Sequence, residues 1–288
     1  MIRLIRRSER GMILVNVLVI VMLATLVLAI ILAGEDSNSE RSQRLRDAAQ
    51  AMATARGAEL SAVTALRRDL AGGSRSDTQS EPWAKIGDRN VAIAGGRFSF
   101  AVADAQAKFN INSLVADETW PRATLANIVA AASIDADATN RISDLVKKRG
   151  PVSEFADLQE AGLTYPELAR LAQLCTVLPE PTPVNFNTAP EALVAVMLNN
   201  PATAHSVITL RAQAEGLTQA DLLAGGIIMP QGTGITSDYF WAHARVTIGS
   251  TAQQLTSLIH RRFLEGKPRV ETIRRWRGRA PLQAPALL

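Results

Sequence analysis

The 288-residue chain holds one cysteine, Cys175, so no intrachain disulfide can form. It lies in the apolar-leaning run 171–178, which predicts a buried, inert thiol. A chain of this length folds without disulfides in either redox compartment, so the cysteine count leaves the compartment open. Histidine is nearly as scarce. His205, His243 and His260 lie in separate segments, and His205 has no Cys or Glu at ligand spacing, which disfavours zinc. No glycine-rich phosphate loop and no nucleophile elbow occurs, so an enzyme is not expected. Proline is missing from residues 12–69, which removes the strongest helix breaker from that stretch. Charge of either sign is missing from residues 12–33.

What fills that uncharged stretch is 22 residues of Ile, Leu, Val, Met and Ala, with Asn16 and Thr25 as the only clearly polar members. As a helix it spans about 33 Å, the thickness of a bilayer's hydrocarbon core. Arg3, Arg6, Arg7 and Arg10 precede it against one acid, Glu9, which holds the N-terminus in the cytoplasm and sends the rest of the chain across. A removed signal peptide fits poorly, because the run is long and no Ala-x-Ala-like site follows. A permanent anchor fits. So does a third reading: a basic leader that ends in Gly11 resembles a class III signal, cut after the glycine so that the mature chain begins at Met12. Pilins and major pseudopilins carry Glu at the fifth mature position, whereas this chain has Asn16, which can hydrogen-bond but cannot pair ionically with a neighbouring N-terminal amine.

From residue 35 to about residue 70 apolar residues recur at helical spacing (Leu45, Ala48, Met52, Ala55, Ala62, Leu66), with Arg41, Arg44, Arg56 and Arg67 among those on the other faces. One helix of more than 50 residues is expected, half in the membrane and half out, with softening near residues 34–39 and an end at Gly72, Gly73 and Ser74. Residues 91–102 read as a hairpin whose turn is the Gly95–Gly96 pair, and residues 239–263 as a second one turning at Gly249 and Ser250. Between them the chain reads helical, with candidates at 125–132, 140–149, 154–161, 165–174, 190–198, 202–215 and 219–225. This stretch contains a weak internal repeat. Phe109-Asn110-Ile111-Asn112 resembles Val184-Asn185-Phe186-Asn187, and each is followed by two helices and an Ala-Asp-Leu. The asparagines are expected to cap helices and close turns.

Eight cations stand against two acids from residue 261 to residue 279, so the body between the two basic ends is mildly acidic. That disfavours a broad nucleic-acid face. The basic end, with Trp276, is expected to be a solvated, mobile terminus. Asp135 and Asp137 form the one oxygen-rich opening worth weighing for a metal. They lack the glycine and distal Glu of an EF-hand, and a dipole-favoured helix start explains them better.

Taken together, four features resemble the K-type minor pseudopilins of type II secretion systems (the GspK family). They are the leader with Gly11 and no Glu at Asn16; Asp104 followed by Lys108-Phe109-Asn110-Ile111-Asn112; Asn185-Phe186-Asn187-Thr188-Ala189-Pro190; and Ser237-Asp238-Tyr239-Phe240. The resemblance covers the whole chain. It implies an α+β, pilin-like fold: a long N-terminal helix on an antiparallel sheet, with a large all-α, duplicated, sterile-alpha-motif-like (SAM-like) domain inserted between strands. In domains, residues 1–11 read as leader, 12–33 as membrane helix, 34–110 as exposed helix and first hairpin, 111–228 as the insert, 229–265 as the second hairpin and 266–288 as the flexible tail. The resemblance further implies a subunit at the pseudopilus tip that initiates its assembly. It would be single-pass in the inner membrane with a periplasmic body. Its partners would be the minor pseudopilins GspI, GspJ and GspH, the inner-membrane assembly platform and the prepilin peptidase. No cofactor is required, calcium is possible by resemblance, and no nucleic acid is expected. The rival reading is a membrane-anchored, helix-hairpin-helix-like DNA-binding protein of the competence type, although neither repeat has the Gly-hydrophobic-Gly turn such hairpins use.

N-terminal sequencing of the protein from membranes is expected to start at Met12 when a prepilin peptidase is present and at Met1 when it is not. An uncut chain, or a cut beyond Ala33, returns the segment to a plain anchor or a signal peptide.

Overall fold

The computed structural model describes residues 6–73, 76–116, 118–214 and 216–287, leaving aside the side chains of residues 6–11 and 32–38. The first five leader residues and Ser74 lie outside the described residues. Helix α1 runs unbroken over Arg6–Gly72, 67 residues, and so continues through the expected soft stretch and back into the leader. The chain then forms β1 (Asp88–Ile93), β2 (Gly96–Asp104) and β3 (Phe109–Asn110). Helices α2 (Thr119–Ala131), α3 (Ala138–Arg149) and α4 (Tyr165–Leu174) follow, then β4 (Cys175–Thr176) and β5 (Val184–Asn185). After α5 (Glu191–Leu198), α6 (Pro201–Gln213) and α7 (Gln219–Ala224) come β6 (Thr233–Gly234), β7 (Tyr239–Ile248), β8 (Thr251–Leu264) and β9 (Lys267–Arg277).

The main sheet is antiparallel in the order β1-β2-β7-β8-β9. Strands β2 and β7 are neighbours from Gly96–Ile248 to Asp104–Phe240, so the stretch between them leaves and re-enters the sheet at one place. The sheet lies on α1. Ala51, Ala55, Ala58 and Ala62 form a small-residue stripe that lets the strands approach, and they meet Phe100, Phe240, Ala242, Ala244, Val246 and Ile259. Alternation sends Tyr239 and Trp241 to the other face, where they pack with Leu178 from the insert and with Trp276. Strand β7 is therefore buried on both faces.

Two expectations are corrected here. The first hairpin turns at Ala94–Gly95, because Ile93 pairs with Gly96. Gly95 supplies the positive φ of 77°. Gly96 opens β2, where a Cβ would lie 1.7 Å from the Thr247 carbonyl oxygen, so its glycine is needed for close approach and not for the turn. The second correction is larger. The basic end is no loose tail: residues 267–277 are the fifth strand, and residues 278–287 cross the outer face of the sheet as a strap. Strand β9 is held because Glu59, buried on α1, accepts from Arg275 Nη2 (2.6 Å), Arg275 Nε (2.9 Å), Ser257 Oγ (2.6 Å) and Thr272 Oγ1 (2.9 Å). Burial alone would raise the Glu59 pKa, yet Arg275 and the two hydroxyls bring it below the ordinary value. The strap is fixed by Lys108 Nζ donating to the Gln283 carbonyl (3.2 Å) and His243 Nδ1 donating to the Pro285 carbonyl (2.9 Å).

Gly96→Ala should lower stability by roughly 1–3 kcal/mol, the usual cost of overpacking. Denaturant melts of the detergent-solubilised chain read this directly, and an unchanged midpoint would mean that β2 and β7 can move apart at no cost.

Candidate functional site

The residues of the internal repeat form two latches of the same design. Parallel pairing sets Phe109 and Asn110 beside Cys175 and Thr176, and Val184 and Asn185 beside Thr233 and Gly234. In each unit the first asparagine closes a turn: Asn110 Oδ1 accepts from Asn112 N (3.1 Å), and Asn185 Oδ1 accepts from Asn187 N (2.9 Å). The second asparagine then grips distant backbone. Asn112 Nδ2 donates to the carbonyls of Val152 (2.9 Å) and Leu178 (2.8 Å), and its Oδ1 accepts from Val152 N (2.9 Å). Asn187 Nδ2 donates to the Leu217 carbonyl (3.1 Å), and its Oδ1 accepts from Leu217 N (2.6 Å). A primary amide suits this because it offers a donor to the C=O and an acceptor to the N–H of one residue. The expected turn role of Asn110 and Asn185 is thus present. The long-range grip of Asn112 and Asn187 was not foreseen. The arginines ending the second helices do not match: Arg211 donates to the carbonyls of Phe186 (3.0 Å) and Ala189 (2.7 Å), whereas Arg149 pairs with Glu160.

Pro190 N-caps α5, Phe109 is buried under the edge of Trp120, and Tyr239 stacks on His260 while its hydroxyl donates to Glu180 (3.2 Å). Phe240 is fully buried, with the Arg261 guanidinium over its ring. Cys175 is fully buried, and burial pushes its thiol far up, as an inert cysteine requires. The polar knot where the insert joins the sheet draws on all three parts of the molecule. Asp104, the last residue of β2, accepts at Oδ2 from Asn185 Nδ2 (2.8 Å), Ser237 Oγ (2.6 Å) and Thr188 Oγ1 (2.5 Å), and at Oδ1 from Gln106 N (2.7 Å). Asp77, in the loop after α1, accepts from Ser237 N (2.7 Å) and from Arg261, which also holds Asp69. Burial raises Asp104 against its four donors, and it pushes Asp77 up to about 7 against the pull of Arg261. The partners Asp69 and Asp77 of Arg261 were not read from the sequence. The available signal was an arginine on the same strand face as Leu255, Ser257 and Ile259, a position that calls for a buried counter-ion.

Among the described residues, the carboxylates weighed for calcium already have protein partners. Asp135 and Asp137 are exposed and shared by Arg141, whose Nη1 lies 3.0 Å from Asp137 and 4.0 Å from Asp135. Asp69, Asp77 and Glu81 bring carboxylate oxygens within 4.8 Å of one another. There Arg261 already supplies the cation, and Glu81 Oε2 accepts from Thr78 N (3.0 Å) and Trp83 Nε1 (2.7 Å).

Several apolar surfaces are uncovered among the described residues. Met12–Ile31 is long and apolar enough to cross a membrane, and none of it is buried; Asn16 is exposed within it. Farther along α1, Leu45 and Leu60 stand exposed on the side away from the sheet. Between α2 and α3 lies an open cleft of about 720 Å³, lined by Ala123, Ala126, Ala130 and Ser143 among others.

No protein-family model matches the chain. In sequence it is 26% identical, over 313 aligned positions and 92% of each chain, to the type II secretion system protein K of Pseudomonas aeruginosa strain PAO1. The chain resembles type II secretion system protein K. Its fold also matches a chain in the crystal structure of the GspK-GspI-GspJ complex from the type 2 secretion system of enterotoxigenic Escherichia coli. That match has a TM-score of 0.65 at 16% identity and covers 83% of this chain and 100% of that one. The fold shared with that chain combines helices with an antiparallel sheet.

A carboxylate whose pKa is raised on folding holds a proton in the native state that the unfolded chain releases. Stability should therefore fall as pH rises from about 4, the unfolded value, to about 7, the native one. Asp77→Asn should flatten that decline in denaturant melts taken across this window. An unchanged slope would show that Asp77 is ionised throughout.

Proposed function

We propose that the chain is a minor pseudopilin of a type II secretion system, anchored in the inner membrane by Met12–Ile31 with its folded body in the periplasm. The observation that carries this reading is the single continuous α1, bare over its apolar half and covered by a sheet over much of the other. The likeness to protein K along 92% of both chains supports it. The mechanism is assembly. A bare apolar helix is stable in a bilayer, and it remains stable on leaving the bilayer only if like helices pack around it. GspI and GspJ, which share a complex with the structural relative, are the partners we infer, with GspH, the assembly platform and the prepilin peptidase. A role as initiator at the tip suits Asn16, which cannot neutralise the N-terminal amine of a neighbour above it, and suits an insert wide enough to obstruct further addition. No catalytic activity is part of this reading. DNA binding is the weaker alternative, because Arg275 of the basic end is engaged by the buried Glu59 and neither repeat carries a Gly-hydrophobic-Gly turn.

Co-expression of the full chain with the GspI and GspJ proteins of the same secretion system should yield a ternary complex from detergent extracts. Leu60→Asp, on the uncovered side of α1, should reduce recovered partner by about tenfold or more while leaving the melt of the chain alone unchanged. Failure of the wild-type chain to retain either partner would overturn the assignment.

A further inference from the structure

Strand β7 stops pairing with β8 at Tyr239–His260, whereas β8 and β9 continue together to Leu264 and Lys267. The last four pairs are Arg261–Val270, Arg262–Arg269, Phe263–Pro268 and Leu264–Lys267. They form a two-stranded prong closed by Glu265 and Gly266, both with positive φ (52° and 74°). At about 3.4 Å per residue it extends on the order of 13 Å past β7. Its root lies against the C-terminal end of α1, where Arg67 Nη2 donates to the Val270 carbonyl (3.3 Å), and so points away from the membrane segment.

A two-stranded ribbon without a third strand is marginal, and a plain turn would be served by polar residues. This one ends in Phe263, 57% exposed, and Leu264, 42% exposed. Every other phenylalanine is buried or half-buried. The charges are also out of balance. Arg262 and Arg269 stand directly across from one another, a repulsive arrangement on a strand pair. One carboxylate serves both: Glu271 Oε1 lies 3.3 Å from Arg262 and Oε2 lies 2.9 Å from Arg269. Lys267, across from Leu264, has no ion pair among the described residues.

We propose that this prong docks an acidic segment of a partner protein. Phe263 and Leu264 enter an apolar socket, and Arg262, Lys267 and Arg269 take the partner's carboxylates. Arginine presents a planar fork that matches a carboxylate in two bonds, and aromatic residues beside arginine are the usual anchors of protein interfaces. The geometry favours a protein over a lipid surface. Adjacent strand residues point to opposite faces, so Phe263 and Leu264 need walls on two sides, which a groove provides and a flat bilayer does not. The inference does not depend on which secretion component the chain serves.

The test uses the full chain in detergent and a fluorescent Glu-rich peptide with interspersed leucines, read by anisotropy. The peptide should bind, lose affinity as salt is raised, and lose about tenfold or more on Phe263→Ser and on Arg262→Glu with Arg269→Glu. A peptide with Lys in place of Glu should not bind. Melts check that each variant folds, and Lys267→Glu at the exposed turn serves if the double variant does not. No binding of the acidic peptide, or equal binding by all variants, overturns the proposal. So does variant-sensitive binding to phosphatidylglycerol vesicles without peptide binding, which would assign the prong to a lipid surface.

Discussion

Strands β2 and β7 lie side by side in the sheet, yet the chain between them builds a second, helical body. Exit and entry one strand spacing apart leave that body hanging from two adjacent chain crossings. Its orientation must then be set by what surrounds those crossings. The exit is Asp104, the entry is Ser237, and both sit in one buried hydrogen-bonded knot with Asn185 from the middle of the insert and Asp77 from the loop after α1. Spine, sheet and insert therefore share a single polar junction, and the apolar contacts of Tyr239 and Trp241 with Leu178 close around it.

Such a junction is costly to desolvate and unforgiving of rearrangement. Buried carboxylates are tolerable only when each oxygen is bonded, and the removal of one partner strands the others. Arg261 answers two of them at once, and four donors answer Asp104. The energetic gain over an all-apolar junction is small. The geometric gain is that few placements of the insert satisfy every group, so the helical body is held at one attitude to the spine. The strap over residues 278–287 and the Glu59–Arg275 clip act in the same direction, tying the end of the chain to both bodies.

The spine lives under a different constraint. Over Met12–Ile31 it offers almost only apolar side chains, and farther along a small-residue stripe matched to the sheet. One unbroken helix thus serves two solvents without a hinge in between. An uncovered apolar helix joined rigidly to a folded body is suited to lateral packing with like subunits.

Local patterns determined much of this on their own. The uncharged run after Gly11, the alanine spacing of the spine, the alternation in β7 and β8 and the helical periods of the insert are all written within a few turns or strand residues, so sequence alone located them. The paired Asn-x-Asn segments were visible too, because the repeat places them at equivalent points. What they grip was not, since Val152 and Leu178 lie 40 and 66 residues beyond Asn112. The same distance concealed the fate of the basic end. Arginines spaced along Lys267–Arg277 read as a solvated tail until Glu59, 216 residues away, supplies a buried carboxylate. Gly96 looked like half of a turn and is instead the point where Thr247 comes too close for a Cβ. Periodicity depends on neighbours in the chain and survives in one dimension. Counter-ions, latches and steric approach depend on neighbours in space, and only the folded structure decided them.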